Sequence, residues 1–330
     1  MSDSPYSIEV LDPSPWPQVH VIEPVRRKYW LHALLFLATI FTTLIVGARF
    51  QYNFASSAPQ FSTDDDFLPV MWTLQEPSRL LLGIPFSTSL LCILLAHEMG
   101  HFLLAKRHHV YATLPFFLPA PTVIGTFGAF IRIRSPIPNR EALMDIGVAG
   151  PIAGFLVAVP ILIVSLFLSR PLGHPSELPL GLPLIFPALW KILHLGGPLS
   201  QVNLHPMALA AWVGMFATAL NLLPAGQLDG GHIVYSIFPR LHRRATRLTA
   251  IALLPMGFFL WGGWLLWSAV LFLPWMHHPP LSQRPEIGRS RKLLGIAALL
   301  IFGLSLAPVP FAGHSPWEQI QPWVMKHLVR

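Results

Sequence analysis

Long apolar runs punctuated by proline, glycine and short charged clusters set the layout of this chain. Runs over residues 29–46, 80–105, 143–168, 207–223 and 293–306 have lengths near that needed to cross a bilayer as a helix. The stretch 248–275 is too long for one crossing. It contains Pro255 and Gly262-Gly263, so it reads as a tight hairpin of two short helices. Residues 111–133 are also apolar, but Pro115, Pro119, Pro121, Gly125 and Gly128 preclude a regular helix. Non-helical backbone survives at membrane depth only where protein or a water-filled cavity surrounds it. The segment therefore reads as a re-entrant loop, strand-like over 122–134, where Ile131 and Ile133 alternate with Arg132 and Arg134.

The predicted fold is an all-α polytopic membrane protein of about six or seven transmembrane helices with one short re-entrant strand-like loop. Three regions are expected: a cytoplasmic polar tail (1–28), a membrane-embedded domain (29–310) and a short C-terminal tail (311–330). Composition agrees, with 53% hydrophobic and only 11% charged residues against about a quarter charged in soluble domains. The formal charge of +7 would suggest nucleic acid in a soluble chain. Here the basic residues flank the apolar runs, so they read as topology signals and no nucleic-acid partner is expected.

With the N-terminus inside, 16 of the 22 Lys and Arg residues fall on the inner side, as the positive-inside rule requires. The count depends on the 248–275 hairpin, since a single crossing there would move Arg284 to Lys292 outside. The first residues lack the basic-then-apolar layout of a signal peptide and the arginine-rich character of a transit peptide. A bacterial cytoplasmic membrane is therefore expected. The lone cysteine, Cys92, reads as a small packing residue, and Gly150 and Gly154 as a small-residue seam between helices.

Chemistry concentrates in two places. His97-Glu98-Met99-Gly100-His101 ends the second apolar run. On a helix the two histidines share a face and can both reach a zinc ion, while Glu98 stands beside it as candidate base. Zinc held this way supplies hydroxide near neutral pH. Glu98 is the only acid between residues 80 and 105, and an ionisable group inside an apolar helix is costly enough to imply a role. The bland alternative is a pair of helix-end histidines packing at the interface.

The second place is Asn221-Leu222-Leu223-Pro224-Ala225-Gly226-Gln227-Leu228-Asp229-Gly230-Gly231-His232. Pro224 and Gly226 interrupt the fourth run, and Asp229, the only carboxylate between residues 207 and 240, suits a third zinc ligand. Asp229 could also cap a restarted helix. For His232 an interfacial or hydrogen-bonding role is preferred to ligation. A rival ligand set draws instead on Glu141 and Asp145 at the start of the third run.

Together these residues resemble the site-2 protease family of intramembrane zinc metalloproteases. The His97–His101 motif matches its zinc motif, and Asn221 through Gly230 matches its second motif. Gly125-Thr-Phe-Gly-Ala, Ala149-Gly-Pro-Ile-Ala-Gly154 and His205-Pro206 resemble the bacterial and plastid branch without a PDZ domain. The resemblance implies one zinc held by His97, His101 and Asp229, water activation by Glu98, and a role for Asn221 in holding substrate or the oxyanion. It also implies a transmembrane protein substrate, unwound and cut within or near the membrane. The competing reading from another class is a non-proteolytic membrane zinc transporter or metal sensor using the same histidines, for which further polar residues or internal repeats would be expected.

Overall fold

The computed structural model describes residues 8–10, 19–21, 29–58, 60, 64–172, 180–273, 276, 278, 281 and 286–328. The described chain is mostly helical. Strands β1 (Ile8–Val10) and β2 (Val19–Val21) pair antiparallel; the rest of the expected 1–28 tail, with Arg26, Arg27 and Lys28, lies outside the described residues. Helix α1 (Tyr29–Ala55) is followed by two short helices, α2 (Asp64–Phe67) and α3 (Val70–Leu74), and by a 3-10 turn over Pro77–Gly83 that leads into α4 (Ile84–Arg107). Strands β3 (Phe116–Pro119) and β4 (Thr126–Phe130) form an antiparallel hairpin before α5 (Arg140–Leu168).

Beyond α5, strand β5 (Arg170–Pro171), α6 (Ile185–Ile192) and β6 (Val202–Asn203) precede α7 (Pro206–Asn221). Then come α8 (Asp229–Ile237), α9 (His242–Phe259), α10 (Gly263–Leu271), α11 (Arg289–Ser305) and α12 (Pro316–Leu328). Three segments, Tyr29–Ala55, Pro77–Arg107 and Arg140–Leu168, are long and apolar enough to cross a membrane, and Pro206–Asn221 is a shorter apolar helix. The chain is a membrane protein.

Local chemistry explains the main boundaries. Asn139 accepts from the Ala142 amide at 2.9 Å and caps α5, satisfying one of the four free amides of a helix start. The α9–α10 stretch is a hairpin: Gly257 packs on Leu265, and Ser268 donates to the Ala250 carbonyl at 2.8 Å, so the two helices run antiparallel. Its break falls at Leu260–Gly262, however, and Pro255 sits inside α9. A proline removes one amide but leaves a helix intact where packing holds it.

Two further expectations need correction. Cys92 is exposed on the outward side of α4 with Leu95 and Leu103, so it is not a core packing residue. The strand expected over 122–134 is shorter and has a partner that pattern reading missed. Phe116, Phe117 and Leu118 pair with Phe130, Ala129 and Gly128, because a run of aromatic and aliphatic residues ended by Pro119 favours a strand as much as a loop.

Helices α4, α5 and α7 form the centre. Phe86, Leu90 and Ile93 of α4 are buried with Leu162 and Leu166 of α5 and with Ala208 and Ala211 of α7. Lipid is as apolar as these side chains, so close van der Waals packing must hold such helices together, and small residues at the contact allow it. Gly214 of α7, packed on Ile93, and Gly100 of α4, packed on the Ala149 carbonyl, mark these approaches. On α1, Arg49 and Asn53 bond Asp66 at 2.6 and 2.8 Å, which ties the acidic connection down rather than leaving it loose.

Candidate metal centre

Helix α4 carries His97 and His101 one turn apart, with ring centroids 4.9 Å apart and both side chains buried. After α7 ends at Asn221, the chain turns sharply through residues 222–228, and Gly226 takes a φ of +58° that side-chained residues rarely adopt. That turn restarts the helix at Asp229 and aims its carboxylate at α4. Asp229 Oδ2 lies 3.3 Å from His97 Nε2 and 3.3 Å from His101 Nε2. Asp229 is the first residue of α8, whose N-cap is Leu228, so its side chain points to the histidines rather than capping the helix.

The hydrogen bonding fits a cation at this point. His101 Nδ1 lies 2.8 Å from the Ile146 carbonyl, which can only accept, so Nδ1 carries the proton and the Nε2 lone pair is directed at Asp229. Asp229 Oδ2 is buried and makes no hydrogen bond among the described residues. A buried carboxylate oxygen with no donor is costly. Two imidazole nitrogens and one such oxygen, converging within 4.8 Å of one another, are the three-protein-ligand set that zinc accepts with a position left open.

The other expected residues surround this set. Glu98 is buried, lies outside the converging trio, and faces the backbone N–H of Ile131. Asn221 Nδ2 stands 3.4 Å from His97 Nε2. His232 is not brought into the trio; its ring lies 5.2 Å from that of His278, and its buried Nδ1 has no hydrogen-bond partner among the described residues. Glu141 and Asp145 are not brought into the trio either. Arg291 bonds Glu141 at 2.6 Å and both Asp145 oxygens at 2.8 Å, and His108 Nε2 adds 2.9 Å to Asp145.

Sequence reasoning assigned Gly150 and Gly154 to packing alone. The structure places both beneath the histidines: a Cβ at Gly150 would overlap the His101 ring, and one at Gly154 would lie 3.1 Å from the His97 Cβ. The signal was present in the spacing. Two pairs four residues apart, 97/101 and 150/154, sit on consecutive antiparallel helices, so each glycine meets one histidine. The contact of Ile131 with Glu98 left no comparable signal, because it depends on how the hairpin packs on α4.

Residues 85–262, more than half of the chain, match Peptidase family M50. The chain belongs to this family. The match bears out the resemblance that the two motifs suggested, and it lends no support to the transporter or sensor reading. Among curated proteins, this M50 member is 31% identical over 321 residues to the probable zinc metalloprotease EGY1, chloroplastic, of Arabidopsis thaliana, covering 88% of this chain and 55% of the relative. The EGY1 protein of Oryza sativa subsp. japonica is also 31% identical, over 88% of this chain and 52% of its own length. The probable zinc metalloprotease EGY2, chloroplastic, of Arabidopsis thaliana is 33% identical over 70% of this chain and 42% of its own. The chain spans about half the length of the curated relatives it matches.

Proposed function

We propose that this M50 member is a zinc metallopeptidase that hydrolyses peptide bonds of transmembrane protein substrates within or near the membrane. The observation that carries the reading is the convergence of His97 Nε2, His101 Nε2 and the unpartnered Asp229 Oδ2 beside Glu98. His97, His101 and Asp229 would hold one zinc, which when bound supplies Lewis acidity toward water and the scissile carbonyl.

The remaining work falls to side chains of the chain itself. Glu98 takes a proton from the attacking water and passes it to the leaving amine, so that water adds to the carbonyl carbon and the C–N bond breaks. The Ile131 amide, facing Glu98, orients the carboxylate. Asn221 offers its side-chain N–H groups to the carbonyl oxygen as charge develops there. Gly150 and Gly154 let α5 press against the histidines and fix their rings.

A transmembrane helix hides its peptide bonds in its own hydrogen bonds, and each group freed by unwinding costs about 2–7 kcal/mol if left unpaired in lipid. The outer edge of β4 is proposed to receive the unwound segment by strand addition. Support comes from the two-stranded sheet itself: among the described residues β4 pairs with β3 alone, and Phe127 and Phe130 are exposed.

We further propose six or seven membrane-inserted helices: α1, α4, α5, α7, α11 and the α9–α10 hairpin. With nine residues, α10 reaches only about 14 Å, so the hairpin enters and returns on the Lys- and Arg-rich side near which the centre is placed. The names of the relatives point to a plastid membrane, which we favour over the bacterial cytoplasmic membrane expected from the sequence; the charge argument for orientation holds in either.

Purified protein and a membrane-embedded reporter helix, reconstituted together with zinc, test the reading. Cleavage by the wild type that disappears in Glu98→Gln, with zinc still bound, is the expected result. Undiminished cleavage by Glu98→Gln would overturn it.

A further inference from the structure

Beside α9 lies an open cavity of about 630 Å³, lined by residues of α8, α9 and the end of α10. One face of α9 runs through it in helical steps: Arg243, Arg247 and Ile251 are each four residues apart, with Thr246 and Ala250 alongside. Arg240 adds a third guanidinium. Alongside these side chains Ile251, Leu271, Phe272 and Met276 supply an apolar wall. The cavity therefore offers guanidinium groups and an apolar wall side by side.

Among the described residues no carboxylate pairs with these arginines. From Gly230 to Pro285 the sequence has no Asp or Glu but has Arg240, Arg243, Arg244, Arg247 and Arg284. Arg240, Arg243 and Arg247 are exposed and make no ion pair among the described residues. Arginines placed to mark topology need only face the headgroup region. These three converge on one cavity whose other wall continues as the apolar flank of α9, where Ile251 and Leu254 are exposed.

We propose that this cavity binds a phosphate-bearing anion, with the phosphate on Arg240, Arg243 and Arg247, and that the occupant is an anionic phospholipid whose acyl chain lies along Ile251 and Phe272. Guanidinium forks match phosphate oxygens in pairs, and the apolar wall matches a chain rather than a sugar or peptide. The site is joined to the metal centre through the backbone. His242 Nε2 bonds the Gly226 carbonyl at 3.0 Å, and Thr246 Oγ1 accepts from the Gly226 amide at 3.0 Å. His242 and Thr246 both line the cavity, and Gly226 sits in the turn that aims Asp229. An occupant thus braces the turn on which the third ligand depends.

Native mass spectrometry of the full chain, extracted from phosphatidylcholine vesicles with and without phosphatidylglycerol, reads the site directly. Arg240→Gln/Arg243→Gln/Arg247→Gln should lower retention of phosphatidylglycerol on the order of 100-fold, since each basic residue facing an anionic lipid contributes roughly fivefold. A control of equal charge loss outside the cavity, Arg244→Gln/Arg289→Gln/Lys292→Gln, should retain it, as should the three Arg→Lys changes in large part. Retention that resists millimolar inorganic phosphate identifies the lipid as occupant. Displacement by inorganic phosphate supports the anion site and assigns it to a free phosphate species. Equal loss in the cavity variant and the control, or no loss in the cavity variant, would overturn the proposal and leave only a positively charged surface.

Discussion

Two clusters of histidine and carboxylate lie along α4, one completed from α5 and the other from α8, and they are built in opposite ways. At the end of α4, His108 and the acids Glu141 and Asp145 are saturated: Arg291 reaches both carboxylates and His108 takes one of the Asp145 oxygens. About two and three turns earlier, His101 and His97 meet Asp229 with no guanidinium in reach among the described residues, and Asp229 Oδ2 is left without a donor. A charge set that is complete within the protein fastens helices together. One that is buried and incomplete calls for a cation from outside. Distance along the sequence could not separate the two, because Glu141 and Asp145 have ligand-like spacing and the deciding residue, Arg291, arrives from α11.

The contrast can be tested by perturbing each cluster. The largest effect is expected from Glu98→Gln, which keeps the open cluster and removes only the base. Cleavage of a membrane reporter should fall by about 100- to 10,000-fold, measured at saturating zinc so that binding and chemistry are separated. Next comes Gly150→Ala, which drives a methyl group into the His101 ring. Zinc affinity should drop about 10- to 100-fold, as for loss of a group that orients a ligand. An unchanged affinity would mean that α5 does not fix the histidine.

A third change sharpens the account of substrate handling while leaving both clusters intact. Ala129→Pro removes an amide in β4, and cleavage should fall at least about tenfold with zinc content unchanged. Proline at Ile131 would be a less clean test, since that amide faces Glu98. The smallest functional effect belongs to Arg291→Ala. It should cost on the order of 2 kcal/mol of stability through lost charged hydrogen bonds, read as a lower unfolding temperature, while zinc affinity stays within about a factor of two. A large loss of zinc in that variant would erase the distinction between the clusters.

The apolar runs showed α1, α4, α5, α7 and α11 because a span must be continuously apolar. His97, Glu98, His101 and Asp229 were legible for a related reason: ionisable residues are rare in such runs and stand out. What stayed hidden depends on contacts between elements. Cys92 faces outward because of helix rotation, which a uniformly apolar helix does not record. Pro255 lies within a helix because α10 packs along it. Gly150 and Gly154 act beneath the histidines because α4 and α5 are antiparallel in one register, and the cavity beside α9 exists only once α10 folds back.

The central claim is that the unsaturated cluster holds the zinc, and metal content per purified chain tests it most directly. About one zinc is expected in the wild type and in Asp145→Asn, and far less in Asp229→Asn under the same dialysis. Zinc lost from Asp145→Asn but kept by Asp229→Asn would contradict the account and move the centre to the cluster that Arg291 occupies.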